Sequence, residues 1–194
     1  LPEIRKHILT NFLTTIEIPP HIKQIDSKIF ESCTSLHYIS LSPNIISIGD
    51  MAFDNCSNLK SIYIPKDVKL IGQSVFNHCR NLNIISVDPN NPYFTSINGI
   101  LFSKDEKTLI CFPPNHSCNN YIVPSSVTSL SDWSFASCSK LLSISIPKNT
   151  ISIGKYAFSD CKFLISVDIK SNPKVLPQYV FSHCSNLTSI NIPS

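Results

Sequence analysis

Six cysteines, Cys33, Cys56, Cys79, Cys138, Cys161 and Cys184, fall at one phase of a 23-residue repeat, and each is preceded three residues earlier by a phenylalanine. A core assembled from unrelated elements has no use for so strict a phase. A chain that makes one winding per period and piles like side chains on like does need it.

The full register reads L-x-x-I-x-I-P-x-x-V-x-x-I-G-x-x-A-F-x-x-C-x-x, most cleanly at Leu59, Ile62, Ile64, Pro65, Val68, Ile71, Gly72, Val75, Phe76 and Cys79. Leu13, Leu36, Leu82, Leu141, Leu164 and Leu187 open further copies, and Phe30, Phe53, Phe135, Phe158 and Phe181 fill the aromatic position. Ile62-Tyr63-Ile64 alternates in and out and is rich in β-branched and aromatic residues, so it reads as a short strand closed by Pro65. Equivalent strands are expected at 16–18, 39–41, 62–64, 85–87, 121–123, 144–146, 167–169 and 190–192. Stacked in parallel at about 4.8 Å each, they span about 35 Å. Val68 to Ile71 leads into a Gly72 to Cys79 stretch suited to one helical or 3₁₀ turn. Pro177 stands where other copies carry Gly49, Gly72 and Gly154, which implies that no left-handed residue is demanded there.

One copy breaks the count. Leu82 and Leu141 are 59 residues apart, so a segment spanning 89–120 is inserted. Within it, Gly99-Ile100-Leu101-Phe102 and Thr108-Leu109-Ile110-Cys111-Phe112 flank the polar Ser103 to Lys107, the pattern of a β-hairpin. The segment is expected to be a structural hairpin on the convex side, with a functional loop as the alternative.

This register resembles the BspA-like leucine-rich repeat family, the 23-residue class of bacterial and protist surface proteins, from about Leu13 to Ser194. The irregular stretch Asn91-Pro92-Tyr93 through Asn98-Gly99-Ile100-Leu101-Phe102 to Pro113-Pro114 is similar to a hairpin-bearing variant in that family. Departures are Asp26, Ser131 and Pro177 at the I-G glycine, and Ser42, Asp88 and Lys170 at the strand-end proline. The expected fold is a leucine-rich repeat solenoid, one domain over 1–194, with a parallel sheet on the concave face, short turns on the convex face, one hairpin insertion and an irregular or partial first coil at 1–12. The resemblance implies display on a cell surface and adhesion to proteins of a host or neighbouring cell. An intracellular scaffold that binds a regulatory protein is the alternative.

Other classes find no support. The longest apolar runs fall short of the 18 or more residues of a membrane span. The net charge of +3, from 16 basic and 13 acidic residues, is scattered without a basic block, which gives nucleic acid no footprint. The chain has no G-x-S-x-G, no H-E-x-x-H and no phosphate-cradling glycine loop, so no catalytic residues and no cofactor are assigned. The cysteines lack the C-x-x-C spacing of a zinc site. His78-Cys79 and His183-Cys184 are adjacent, but an inward Cys directs its neighbour elsewhere. Disulfides between windings fit the backbone spacing, yet side chains in register point the same way and two groups of three cannot pair fully. Buried thiols that donate weakly to carbonyls are favoured, with Cys111 and Cys118 left as the local pair able to bridge.

What remains is surface. Ser61, Ser143, Ser166 and Ser189 recur at one outward strand position, whereas His37, Tyr38, Lys60, Tyr63 and Ile84 form the least bland outward cluster and are the candidate binding residues for a protein ligand. Asn55-Cys56-Ser57, Asn115-His116-Ser117 and Asn186-Leu187-Thr188 match the N-glycosylation pattern. The sequence stops at Ile192-Pro193 just after a strand, so the expectation is a fragment of a longer repeat protein, able to associate end to end through an uncapped last coil.

Overall fold

The computed structural model describes residues 12–173 and 175–193; apart from Phe12, the irregular first coil expected at 1–12 lies outside them. Numbered along the chain, eight strands form the main row: β1 (Thr15–Glu17), β3 (Tyr38–Ser40), β5 (Ser61–Ile64), β7 (Ile84–Val87), β11 (Asn120–Ile122), β13 (Ser143–Ile146), β15 (Ser166–Ile169) and β16 (Ser189–Asn191). Each begins about one residue before its expected start. Pairing is parallel and keeps the repeat phase, as in Thr15↔Tyr38, Ser61↔Ile84 and Ser143↔Ser166↔Ser189. The alternation holds: Ile62 and Ile64 are buried, Ser61 and Tyr63 exposed.

A second row was not anticipated. The spacing-three segment after each strand forms a two-residue parallel strand: β2 (Gln24–Ile25), β4 (Ser47–Ile48), β6 (Leu70–Ile71), β12 (Ser129–Leu130) and β14 (Ser152–Ile153). Short as they are, these strands bond to their neighbours in register, Gln24↔Ser47↔Leu70 and Ser129↔Ser152.

The corners that follow are turns, and the described residues contain no helix. Every complete corner carries two left-handed, non-glycine residues four apart: Lys28 and Ser32, Met51 and Asn55, Ser74 and His78, Trp133 and Ser137, Tyr156 and Asp160, Tyr179 and His183, with φ from 54° to 62°. In a helical turn the N–H groups lie along the chain's own axis. Interleaved left-handed residues swing alternate N–H groups sideways, so that Met51, Phe53 and Asn55 donate to the carbonyls of Gln73, Val75 and Asn77 in the next winding at 2.9, 3.1 and 2.8 Å. Each left-handed L-residue costs about 1–2 kcal/mol, which the otherwise orphaned backbone bonds offset.

As expected, the I-G position needs no left-handed residue, but in the three copies that carry glycine the residue is needed for want of space. None of Gly49, Gly72 and Gly154 is left-handed, yet a Cβ on Gly49 would lie 2.5 Å from the backbone nitrogen of Ser27, and one on Gly72 or Gly154 would overlap Asp50 or Asp132. The backbones of successive windings come too close here for a methyl group.

Inside, the columns form as the phase requires. Phe30, Phe53 and Phe76 stack at 5.5 and 5.8 Å between ring centres, and Phe112, Phe135, Phe158 and Phe181 at 5.1, 5.1 and 5.5 Å. The cysteines follow: Sγ of Cys56, Cys79, Cys161 and Cys184 donates to the carbonyl of Phe30, Phe53, Phe135 and Phe158 at 3.0–3.1 Å, and Cys138 to that of Phe112 at 3.7 Å. All eight cysteines are free thiols.

The insertion is a three-stranded meander, β8 (Phe94–Ile97), β9 (Ile100–Ser103) and β10 (Thr108–Cys111), with both junctions antiparallel. The 100–112 hairpin is present as expected, and β8 adds a strand through the Asn98-Gly99 turn, both of whose residues have positive φ. Strand β10 pairs with β12 in parallel and so extends the second row. Strand β9 is a plug: Leu101 joins the core packed around Phe53, while Ile100 and Phe102 join the core around Phe135. Asn91 pins the meander to the winding before it. Completely buried, its Nδ2 donates to the carbonyls of Pro65 and Val68, both at 2.9 Å, and its Oδ1 accepts the N–H groups of Tyr93 and Phe94, both at 2.8 Å.

Cys111 and Cys118 do not bridge. Cys111 packs against the first core and Cys118 against the second, so the plug separates them, and their sulfurs donate to the carbonyls of Phe112 and Asn120.

Candidate recognition surface

Outward positions of the main row form columns, and the five candidate residues fall in three neighbouring ones. Tyr38 shares a column with Thr15, Ser61 and Ile84, and Tyr63 pairs with Ser86 one pleat further along. His37 and Lys60 are exposed but stand one residue before β3 and β5, at the mouths of their strands. Tyr38, Tyr63 and Ile84 remain 53%, 49% and 45% exposed, enough to offer apolar area to a partner. Tyr38 and Tyr63 lie on adjacent strands and two positions apart, a diagonal that long aromatic side chains reach across.

Two of the five are held in place. The Tyr63 hydroxyl donates to Asp88 Oδ2 at 2.8 Å, and the ring of His37 bonds through Nδ1 to the Ser35 carbonyl at 2.7 Å. Asp88 also accepts the Asn90 N–H, and this bond, together with that from Tyr63, holds its carboxyl below the usual range, while the same carboxylate raises the Tyr63 phenol. Asp88 is the strand-end departure from proline; there the acid holds the hydroxyl of an outward tyrosine, a role that strand alternation does not signal.

The other half of the face is different in kind. Ser143, Ser166 and Ser189 continue the Tyr38 column behind Asn120, and Ser145, Asp168 and Asn191 continue the Tyr63 column behind Ile122. These polar groups bond to one another, Ser143 Oγ to Asn120 at 2.7 Å and Asn191 Nδ2 to Asp168 at 2.8 Å. The two outward tyrosines, Tyr38 and Tyr63, and the cation Lys60 thus fall in the first half of the row, while Ile122, 76% exposed, falls in the second.

Chemistry of other kinds is poorly served. Among the described residues no group of three or more His, Cys, Asp and Glu side chains is placed to hold a metal ion, and no helix is long and apolar enough to cross a membrane. Burial pushes the thiols of Cys33, Cys56, Cys79 and Cys161 upward, and Cys111 to about 12, which leaves them poor nucleophiles. His78 turns away from Cys79 and bonds through Nδ1 to Asp54 at 3.0 Å.

That pair has a pH signature. The Asp54 bond raises the His78 pKa against the opposing effects of burial and Arg80, with Asp160 adding to the rise. A folded-state pKa above the unfolded value of about 6.5 gives stability that is fully present below that value and lost as pH climbs through the raised one. The melting temperature of the wild-type chain is expected to fall as pH rises above about 6.5, and His78→Asn to flatten that part of the profile. Identical profiles for the two proteins would remove the pair from the account.

A solenoid of parallel-strand windings with a patterned outer sheet is the architecture of a repeat protein-interaction module. The chain belongs to the BspA-type leucine-rich repeat proteins: that family matches in 6 copies over residues 4–117 and 108–194. The chain is similar to a structure described as a leucine rich cell surface protein from Faecalibacterium prausnitzii, with 30% identity and a TM-score of 0.85 over 93% of this chain and 48% of that one. The pneumococcal vaccine antigen PcpA, at 24% identity and a TM-score of 0.67 over 92% of this chain and 56% of that one, shares the fold. So does a leucine-rich repeat protein from Eubacterium ventriosum, at 22% and 0.61 over 91% and 65%. The chain therefore spans about half the length of the F. prausnitzii protein. No curated protein sequence matches it.

Proposed function

We propose that this chain is the recognition part of a surface-displayed adhesin, and that the first four strands of its main row, through Tyr38, Tyr63, Ile84, His37 and Lys60, grip a protein on a host or neighbouring cell. The observation that carries the reading is the asymmetry of the sheet. Tyr38 and Tyr63 stand outward on two of these four strands, whereas on the other four Ser, Asn and Asp bond to one another around an exposed Ile122 and no aromatic side chain faces outward. Tyrosine is enriched at interface hot spots because it brings a large rigid area with a polar tip. The cell-surface description of the F. prausnitzii protein supports display.

The test uses the labelled chain on intact cultured epithelial cells. Saturable binding is expected, and Tyr38→Ser with Tyr63→Ser is expected to weaken it at least about tenfold, two anchors being lost, without change in the melting temperature. Binding that survives both substitutions excludes this patch.

The eight free cysteines favour a second reading, an intracellular scaffold for a regulatory protein, because reducing compartments keep thiols unpaired. Antibody labelling of unpermeabilised producer cells separates the two: signal supports display, and signal only after permeabilisation supports the scaffold.

A further inference from the structure

On the corner opposite the main row, Trp133, Tyr156 and Tyr179 form an outer ladder, their rings stacked at 4.2 and 5.0 Å and within 14° of parallel. All three occupy the first left-handed position of their corners, the position held by Ser74 in the last complete winding before the insertion. The winding between Ser74 and Trp133 contributes no rung, and the reason lies in the register. Strand β10 pairs Leu109 with Leu130, yet Phe112 stacks on Phe135. The inserted winding covers in three steps, 109 to 112, what its neighbour covers in five, 130 to 135. It cuts the corner by two residues and omits the stretch that would bear the ring.

The omission leaves a slot. The corners on either side meet at one end, where Ser137 Oγ donates to Asn77 Oδ1 at 2.7 Å, and part at the other. Between Ser74 and Trp133 lies an open cavity of about 200 Å³, floored by Leu101, Ile110 and Cys111, with Gln73 and Asp132 at its rim. Tyr156 covers one side of the Trp133 ring, and Trp133 is among the residues that line the cavity. An apolar cavity of about 150 Å³ is enough to take up benzene.

We infer that this slot is a binding site for one planar aromatic ring, stacked on Trp133 as the missing rung of the ladder, and that the ring is a phenylalanine or tyrosine side chain of a protein partner. Offset stacking adds to the burial of the ring. The polar rim suits the peptide groups on either side of such a residue, since Asp132 spends only Oδ1 on the Lys155 N–H, at 2.7 Å. That a protein supplies the ring rests on the recognition role proposed above. The preference for a flat ring does not, and it sits on a different face from the tyrosine patch.

Trp133 is the chain's single tryptophan, so its emission reports on the slot directly. Titration with N-acetyl-phenylalaninamide is expected to change that emission saturably, with a dissociation constant on the order of 1 mM, as fits a single ring. The cyclohexylalanine analogue, equally bulky but not flat, is expected to bind at least tenfold more weakly, and so is toluene, which lacks the peptide groups. Ser74→Trp, which supplies a ring from the facing wall, is expected to abolish binding of the phenylalanine probe followed by ligand-observed NMR, and Trp133→Leu to weaken it at least tenfold while the fold is retained by circular dichroism. No saturable response, an equal response to the cyclohexyl analogue, or unchanged binding by Ser74→Trp overturns the ring site. Toluene binding as tightly as the blocked amino acid overturns the peptide side chain as its source. Loss of cell binding by the Tyr38 and Tyr63 variants leaves all of these readings unaffected.

Discussion

Asn91→Ala is expected to lower the stability of the chain by about 3–5 kcal/mol, among the largest effects of any polar substitution here. The side chain is wholly buried and satisfies four backbone groups at once, the carbonyls of Pro65 and Val68 and the N–H groups of Tyr93 and Phe94. A net hydrogen bond is worth about 0.5–1.5 kcal/mol, and a buried group left without a partner costs about 1–3 kcal/mol, so four simultaneous losses outweigh the small gain from removing the amide itself. For a chain of this size the melting temperature is expected to drop by roughly 10 °C. Hydrogen exchange is expected to speed up first in β8 and β9, because the lost bonds fix the start of the meander to the third winding. Pro89→Ala, at an exposed neighbouring position, serves as the control and is expected to move the melting temperature little. A drop of less than about 3 °C for Asn91→Ala would show that the meander is held by its apolar plug alone.

Asn91 also marks where reading the sequence stops being enough. Its role needs Pro65 and Val68, 26 and 23 residues away, to be brought under it, and nothing in a single Asn-Pro-Tyr triplet signals that. The period, by contrast, carries the main row, the phenylalanine stacks and the thiol bonds outright, because each residue's neighbour in space is its counterpart one winding on. Two further elements were legible in principle. Asn98-Gly99 between apolar runs is the strongest short signal for a two-residue hairpin turn and announces β8. Phe112, lying one full period before Phe135, is the hidden first member of the second stack. The corners were not legible. Their left-handed positions hold Lys, Ser, Met, Asn, His, Trp, Tyr and Asp, residues with no common chemistry, because hydrogen bonds to the next winding impose the conformation. The required glycines looked optional for a related reason, since the clash that excludes a methyl group comes from the adjacent winding and depends on the close approach of two backbones. On the main row, strand alternation was sufficient to expose Tyr38, Tyr63 and Ile84. The Asp88 brace on Tyr63 and the gap beside Trp133 arise only between residues of different windings.

The neighbour-only character of this architecture makes a sharper test at Phe135. Phe135→Ala is expected to cost about 3–5 kcal/mol, since the ring is completely buried and its removal leaves a cavity that the flanking strands cannot close. It is sandwiched between Phe112 and Phe158 at 5.1 Å on both sides and also meets Tyr121 at 6.0 Å, so one truncation breaks three ring contacts. Phe30→Ala removes an equally buried ring that has one stacked neighbour, Phe53, among the described residues, and is expected to cost clearly less. The position of Phe135 matters as much as its contacts. Phe112 and Phe135 belong to the core cluster that β9 joins to the one around Phe53, and in a stack stabilised by nearest-neighbour interfaces a weak link in the middle lets the halves melt separately. Differential scanning calorimetry of Phe135→Ala is therefore expected to show a broadened or split transition with a calorimetric enthalpy exceeding the van't Hoff value, whereas Phe30→Ala keeps a single transition. Equal losses from the two substitutions, with both proteins still melting in one cooperative step, would mean that stability is shared through the whole chain rather than passed from winding to winding.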